Sequence, residues 1–158
     1  MLFPRTLFNY YSEMKKIFFL LSFYFLITPV HAQKYDSWKL YLDRKEIGSF
    51  NLKEETNNEN KVVLLNRLLK GPGFFVLKYI PAKEQAEWIR TIAFVDSSDK
   101  SIREFNNTLL LKIKNEELAG IMEGRPKVKV YTWAIPKDPA IAATVRVRRI
   151  LLCTLYTR

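Results

Sequence analysis

Histidine and cysteine are almost absent from this 158-residue sequence, in which His31 and Cys153 are the only examples. His31 lies in an N-terminal leader that we expect to be cleaved, so the mature chain would contain no imidazole. Catalytic arrangements of the Ser-His-Asp and Cys-His types are then excluded, as are zinc, copper and haem sites that use histidine. A lone Cys153 excludes an intrachain disulfide, and the leucines around it predict a buried, unreactive thiol. We therefore predict no cofactor and no metal, and a binding protein rather than an enzyme.

Carboxylates are the one catalytic class that the composition leaves open. Two pairs of adjacent acids occur, Glu54-Glu55 and Glu116-Glu117, but adjacent residues on a strand point to opposite faces and both pairs flank predicted turns. Residues 96–99 (DSSD) offer oxygen atoms to calcium, yet they lack the spacing of an EF-hand loop, so we interpret them as a turn. We assign no catalytic residue and keep a carboxylate-dependent enzyme acting on glycans as an alternative.

The N-terminus carries the features of a signal peptide. Lys15-Lys16 form a basic region, residues 17–28 form a largely apolar run, and Val30-His31-Ala32 places small residues at positions −3 and −1. This run is too short to cross a hydrocarbon core about 30 Å thick, which needs roughly 20 helical residues. We therefore predict cleavage after Ala32, with Met14 as the natural initiator, and no membrane span in the mature chain.

Removal of residues 1–32 leaves 126 residues with 23 basic and 15 acidic side chains, a formal net charge of +8. This length suits one domain, and no repeat or linker-like tract divides residues 33–158. An exported chain this basic meets envelope phospholipids, lipopolysaccharide and acidic glycans rather than nucleic acid. We therefore predict a protein of the periplasm or the cell surface whose partner is an envelope protein or an anionic glycan or lipid.

Short strands separated by turns dominate the mature chain. Residues 38–43 alternate between apolar and polar side chains, and residues 46–54 would complete a hairpin through a turn at Arg44-Lys45. Further strands are predicted at 61–69, 74–80, 87–95, 108–113, 127–135 and 144–157, and one short helix at 115–123, with Asn115 as its cap. About eight strands with one short helix predict an all-β fold, an antiparallel β-sandwich, with an open β-barrel as the alternative.

Three arginines lie close together in the predicted last strand, TVRVRRILLCTLYT. Alternation places Arg146 and Arg148 on one face and Arg149 on the other, where a bulge or an ion pair would accommodate it. Two guanidinium groups about 7 Å apart form a fork for phosphate, carboxylate or sulfate. Lys127 and Lys129 repeat this spacing on the preceding strand. We predict these five residues as an anion-binding patch, against the alternative of a solvated face opposite acids.

Residues 131–155 (YTWAIPKDPAIAATVRVRRILLCTL) resemble the C-terminal third of small exported β-sandwich proteins from the cell envelope of Gram-negative bacteria, a group without an assigned activity. The resemblance implies export and a sandwich fold, and it supplies no catalytic residue. Together with the basic composition it favours a non-enzymatic exported interaction module. An apolar-ligand carrier built as a barrel is a third alternative, and it requires an internal cavity of about 300 Å³ or more.

Overall fold

The computed structural model describes residues 35–54, 60–83 and 86–158. This part of the chain contains nine strands: β1 (Ser37–Leu42), β2 (Lys45–Asn51), β3 (Lys61–Leu64), β4 (Phe74–Ile80), β5 (Trp88–Val95), β6 (Ser101–Phe105), β7 (Leu110–Lys114), β8 (Lys127–Pro136) and β9 (Ile150–Thr157). It also contains one 3₁₀ turn (Leu52–Glu54) and three short helices: α1 (Asn66–Leu69), α2 (Asn115–Met122) and α3 (Pro139–Ala142). None of these helices is long and apolar enough to cross a membrane. The predicted leader and its cleavage site lie outside the described residues.

The strands form two sheets, which confirms the predicted all-β sandwich with nine strands in place of eight. Sheet A has the order β2-β1-β4-β7, and each neighbouring pair is antiparallel. Sheet B has the order β3-β9-β8-β5-β6 and is antiparallel except between β3 and β9. The described strands do not close into a barrel. Both sheets contribute to the core, whose largest fully buried side chains are Trp38, Phe75 and Phe94.

The hairpin between β1 and β2 turns on two residues in the left-handed region. Asp43 and Arg44 have φ angles of 51° and 70°, and Leu42 pairs with Lys45 across them. Two positive φ angles are the signature of a type I′ turn, whose twist matches that of the flanking strands. The turn therefore lies one residue earlier than the predicted Arg44-Lys45, because Lys45 already pairs within the ladder.

Asp43 ties this hairpin to β4 and α2. Its Oδ1 accepts hydrogen bonds from the Phe74 backbone N–H at 3.1 Å and from Asn115 Nδ2 at 3.0 Å. Asn115 is fully buried, and its Nδ2 also donates to the Leu68 carbonyl at 3.1 Å. The prediction of Asn115 as the cap of α2 is wrong: it is the first helical residue, and its amide joins the hairpin to both α1 and α2.

A β-bulge in β9 connects the two sheets. Val130 pairs with Cys153 while Tyr131 pairs with Leu151, so Leu152 is an extra residue opposite β8. The Leu152 carbonyl accepts the indole Nε1–H of Trp38, from sheet A, at 2.7 Å. It also accepts a hydrogen bond from Asn60 Nδ2 at 3.1 Å. The bulge thus supplies a buried acceptor to two side chains that would otherwise lack one.

The chain before β9 differs from the prediction. Residues 144–149 are not a strand; β9 begins at Ile150, and α3 precedes this segment. Asp138 caps α3 by accepting a hydrogen bond from the Ala140 backbone N–H at 2.8 Å, and Pro139 occupies the first turn, both favourable at a helix start. Alternating valines and arginines imitate a strand here, but β8 beyond Thr132 pairs only with β5, which leaves residues 144–149 without a ladder.

We predict that Trp38→Phe lowers the free energy of unfolding by about 1–3 kcal/mol, because the buried Leu152 carbonyl loses its shortest hydrogen bond. Urea denaturation followed by circular dichroism measures the change. Trp88→Phe, at a partly buried ring for which no side-chain hydrogen bond is found in the described structure, is the matched control. An equal loss in the two variants would show that ring volume, and not the indole N–H, accounts for the effect.

We predict opposite effects from two glycine-to-alanine changes. A Cβ on Gly73 would lie 1.5 Å from Asp43 Oδ1, so Gly73→Ala should lower the free energy of unfolding by about 1–3 kcal/mol through overpacking. A Cβ on Gly120, within α2, meets no atom within 4 Å, so Gly120→Ala should raise it by about 0.5–1 kcal/mol. Equilibrium urea unfolding distinguishes the two. A neutral result at Gly73 would contradict the close approach of Asp43.

Candidate anion-binding faces

Strand β8 directs alternate side chains to opposite sides of sheet B. Its buried positions face the core: Val128, Val130 and Thr132. Its partly buried positions form a row on the outer surface: Lys127, Lys129, Tyr131 and Trp133. The alternation expected along this strand is therefore confirmed over residues 127–132, whereas residues 133–135 are all partly buried. We call this row, together with Arg149, the sheet B face.

The bulge at Leu152 decides where Arg149 points. Each residue shift in a strand turns its side chains to the opposite face, so without the bulge the strand would direct Arg149 at the core. With it, Ile150 is the buried residue opposite Thr132, and Arg149 turns outward. Its guanidinium lies 4.7 Å from the ring centroid of Tyr131 and 5.5 Å from that of Trp133. The bulge expected near Arg149 is thus present three residues further along.

The two lysines of the sheet B face differ in their electrostatic surroundings. Lys129 Nζ forms an ion pair with Asp99 Oδ1 at 3.1 Å, and this hydrogen bond raises the pKa of the Lys129 ammonium. Lys127 lies opposite Tyr156 of β9 and forms no ion pair with any described residue. Lys127 and Arg149 therefore carry the charge that is available to a ligand on this face.

The structure separates the five residues predicted as an anion-binding patch. Lys127, Lys129 and Arg149 share the sheet B face, whereas Arg146 and Arg148 are exposed in the irregular segment between α3 and β9. The predicted spacing of about 7 Å between the Arg146 and Arg148 guanidinium groups assumed a β-strand. It does not apply, because that segment forms no strand. Arg149 instead gains aromatic partners that the spacing of the arginines did not reveal.

Three of the acidic candidates, Asp96, Asp99 and Glu117, have structural partners. Asp96 Oδ1 accepts hydrogen bonds from the Ser98 backbone N–H, the Ser98 hydroxyl and the Lys100 backbone N–H at 2.7–3.0 Å, and the Ser98 hydroxyl bond is the main reason why the pKa of the Asp96 carboxyl is lowered. Residues 96–99 therefore form the predicted turn. Glu117 pairs with Arg103 at 3.1 Å, and Glu55 lies outside the described residues. Within the described ranges, no three His, Cys, Asp or Glu side chains cluster as metal ligands.

A buried arginine, Arg90, lies near the start of β5. Arg90 is 5% exposed, its guanidinium lies 4.0 Å from the Tyr79 ring centroid, and its Nη1 donates to Thr132 Oγ1 at 3.3 Å. Tyr79 in turn stacks on Trp38 at 6.2 Å. A cavity of about 540 Å³ opens beside Arg90 and is lined in part by Trp88 and by exposed leucines. Because the arginine closes an aromatic stack, we interpret it as a part of the core.

The outer surface of sheet A is a second basic face, which the sequence analysis missed. Alternation with buried residues places four lysines and four apolar side chains on it: Lys39, Lys78, Lys112, Lys114, Tyr41, Phe74, Val76 and Leu110. We call this set the sheet A face. Lys39 pairs with Glu46 at 3.2 Å, and this interaction raises the pKa of the Lys39 ammonium. The only other acid-base pairs found among the described residues lie elsewhere.

Each lysine of the sheet A face can be recognised in the sequence as an exposed position of a strand, but the sequence does not show that the lysines share one face. The lysines alternate with core residues in Trp38-Lys39-Leu40, Leu77-Lys78-Tyr79 and Leu111-Lys112-Ile113. The three strands are separated by 31 and 29 residues of sequence and become neighbours only through the order β1-β4-β7. Strand order is a tertiary property, so alternation alone could not group these side chains.

We predict that the Cys153 thiol resists alkylation in the native protein. The side chain is completely buried, and this burial raises the pKa of the thiol well above its usual range, which suppresses the reactive thiolate. Incubation with iodoacetamide at pH 8 and about 25 °C, followed by mass spectrometry, should show labelling only after urea is added. Rapid labelling of the folded protein would contradict the buried position.

Comparison with known proteins leaves the functional assignment to the geometry. No family model, no curated protein and no solved structure matches the chain. The functional proposals therefore rest on the two outer faces. The sheet B face combines arginine with aromatic rings, and the sheet A face combines lysines with aliphatic and phenyl groups.

Proposed function

We propose that the chain is an exported, non-enzymatic binding module of the bacterial cell envelope and that it binds an acidic glycan on the sheet B face. The observation that carries this proposal is the Arg149 guanidinium over the rings of Tyr131 and Trp133, at 4.7 Å and 5.5 Å. The predicted signal peptide supports export to the envelope, and the basic composition supports a negatively charged ligand.

The chemistry of this group suits a sugar acid. A planar guanidinium binds carboxylate, sulfate or phosphate through two parallel hydrogen bonds. Its contact with aromatic rings already restricts the side chain before binding, so less conformational entropy is lost when the ligand binds. The partly buried rings of Tyr131 and Trp133 add flat apolar surface against which a sugar ring packs. Arg149 would therefore bind the acid group while the rings contact the pyranose.

The row along β8 extends this site in one direction. Lys127 and Trp133 are six residues apart on one strand, which corresponds to about 20 Å at roughly 3.3 Å per residue. Lys127, with no ion pair among the described residues, would meet a second acidic group of the same polymer. A repeating acidic glycan matches this linear arrangement better than a compact small molecule does.

Substitution of Arg149 tests this function. Arg149→Gln should weaken binding to polygalacturonate by roughly 10- to 100-fold, because hydrogen bonds to charged groups contribute about 1.5–3 kcal/mol. Arg149→Lys keeps the charge but loses the planar fork, so it should restore only part of the affinity. Isothermal titration calorimetry measures all three proteins, with neutral dextran as the ligand control.

Arg146→Gln is the matched control, since it removes the same charge from an exposed residue outside the sheet B face. Its affinity should stay within about two-fold of wild type, apart from a small nonspecific charge effect. Equal losses in Arg146→Gln and Arg149→Gln would contradict a built site and indicate attraction by net charge alone. The appearance of new reducing ends during incubation would instead support the glycan-acting enzyme.

A further inference from the structure

The sheet A face contains a charge arrangement that is unfavourable for the isolated protein. Lys39 lies directly opposite Lys78 on the neighbouring antiparallel strand, a position in which like charges destabilise a sheet. Glu46 offsets Lys39 at 3.2 Å, but no described carboxylate forms an ion pair with Lys78, Lys112 or Lys114. Three positive charges on one face therefore have no ion-pair partner among the described residues.

Apolar groups lie among these charges and are exposed. Leu110 of β7 lies opposite Lys78 of β4 and is 57% exposed, and Phe74 is 40% exposed. Lys112 Nζ lies 4.3 Å from the Phe74 ring centroid. Four strands at a spacing of about 4.8 Å make this face roughly 15 Å wide. Cations and apolar groups thus alternate across a broad surface, on which Tyr41, Phe74, Val76 and Lys112 line an open cavity of about 720 Å³.

We infer that the sheet A face docks the protein onto an anionic phospholipid bilayer. Lysine ammonium groups are compact charges without the directional fork of arginine, which suits mobile phosphate headgroups, and their alkyl stems lie along apolar surface while the charge remains in water. Phe74 and Leu110 are of the types that enter the boundary between headgroups and acyl chains. Each lysine near such a surface strengthens binding about five-fold.

This inference is independent of the proposed glycan site. The residues of the two sites belong to different sheets, and the outer faces of a sandwich point in opposite directions. A bilayer on the sheet A face leaves Arg149 and its aromatic partners accessible on the other side. Failure of one interaction therefore does not imply failure of the other.

Vesicle sedimentation of the purified protein without the predicted leader (residues 1–32), whose apolar run would itself enter a bilayer, tests the docking surface. We expect binding to phosphatidylcholine vesicles that contain roughly one third phosphatidylglycerol at about 0.1 M salt, and much weaker binding at about 1 M salt, where surface charges are screened. Lys78→Gln with Lys112→Gln should lower the partition coefficient roughly 25-fold. Leu110→Ser should also lower it without changing the charge, because an apolar group is lost from the interface.

Lys100→Gln with Lys137→Gln removes the same charge from exposed residues outside both faces and should reduce partitioning less than about five-fold. Lys78→Gln relieves the lysine pair, so its melting temperature should not fall below that of wild type, which separates lost docking from unfolding. Equal losses in the two double variants, or no binding to phosphatidylglycerol vesicles, would overturn the inference. The inference would also be overturned if Lys78→Gln with Lys112→Gln lost affinity for soluble polygalacturonate by the same factor as for vesicles, since that result would identify a general polyanion site.

Discussion

The hydrogen bond between the Trp38 indole and the Leu152 carbonyl joins the two sheets within the buried core. It is possible only because Leu152 is an extra residue in β9, with its carbonyl directed at sheet A. The same bulge reverses the facing of the residues that precede it, so that Ile150 enters the core and Arg149 leaves it. One local irregularity therefore serves both the packing of the sandwich and the position of its most directional cation.

The two outer faces differ in kind and not only in location. On sheet B, contact with Tyr131 and Trp133 restricts the Arg149 side chain, and Asp99 neutralises Lys129, so charge is concentrated at a few positions. On sheet A, lysines from three strands share a surface with Phe74 and Leu110 and have little acidic compensation. Directional donors suit a ligand of fixed geometry, whereas mobile ammonium groups suit a fluid surface.

Alternation along the sequence was sufficient to predict the fold class and the facing of β8, because burial of every second residue is a local pattern. It failed for residues 144–149, where Val145 and Val147 alternate with arginines although the chain there has no neighbouring strand. The charged surface of sheet A was beyond prediction because it depends on strand order. The aromatic contacts of Arg149 depend on a bulge that the sequence pattern indicated near Arg149 and that lies three residues further along, at Leu152.

The interior position of β9 in sheet B has a consequence for how the chain acquires its structure. This strand lies between β3 and β8, and its bulge receives an indole from 114 residues earlier in the sequence. Ladders that close over such distances form slowly, since a large loss of chain entropy precedes the first stabilising contact. During synthesis, the earlier strands of sheet B must wait for β9 before their core is sealed. A chain that ends before β9 therefore lacks the strand that joins β3 to β8.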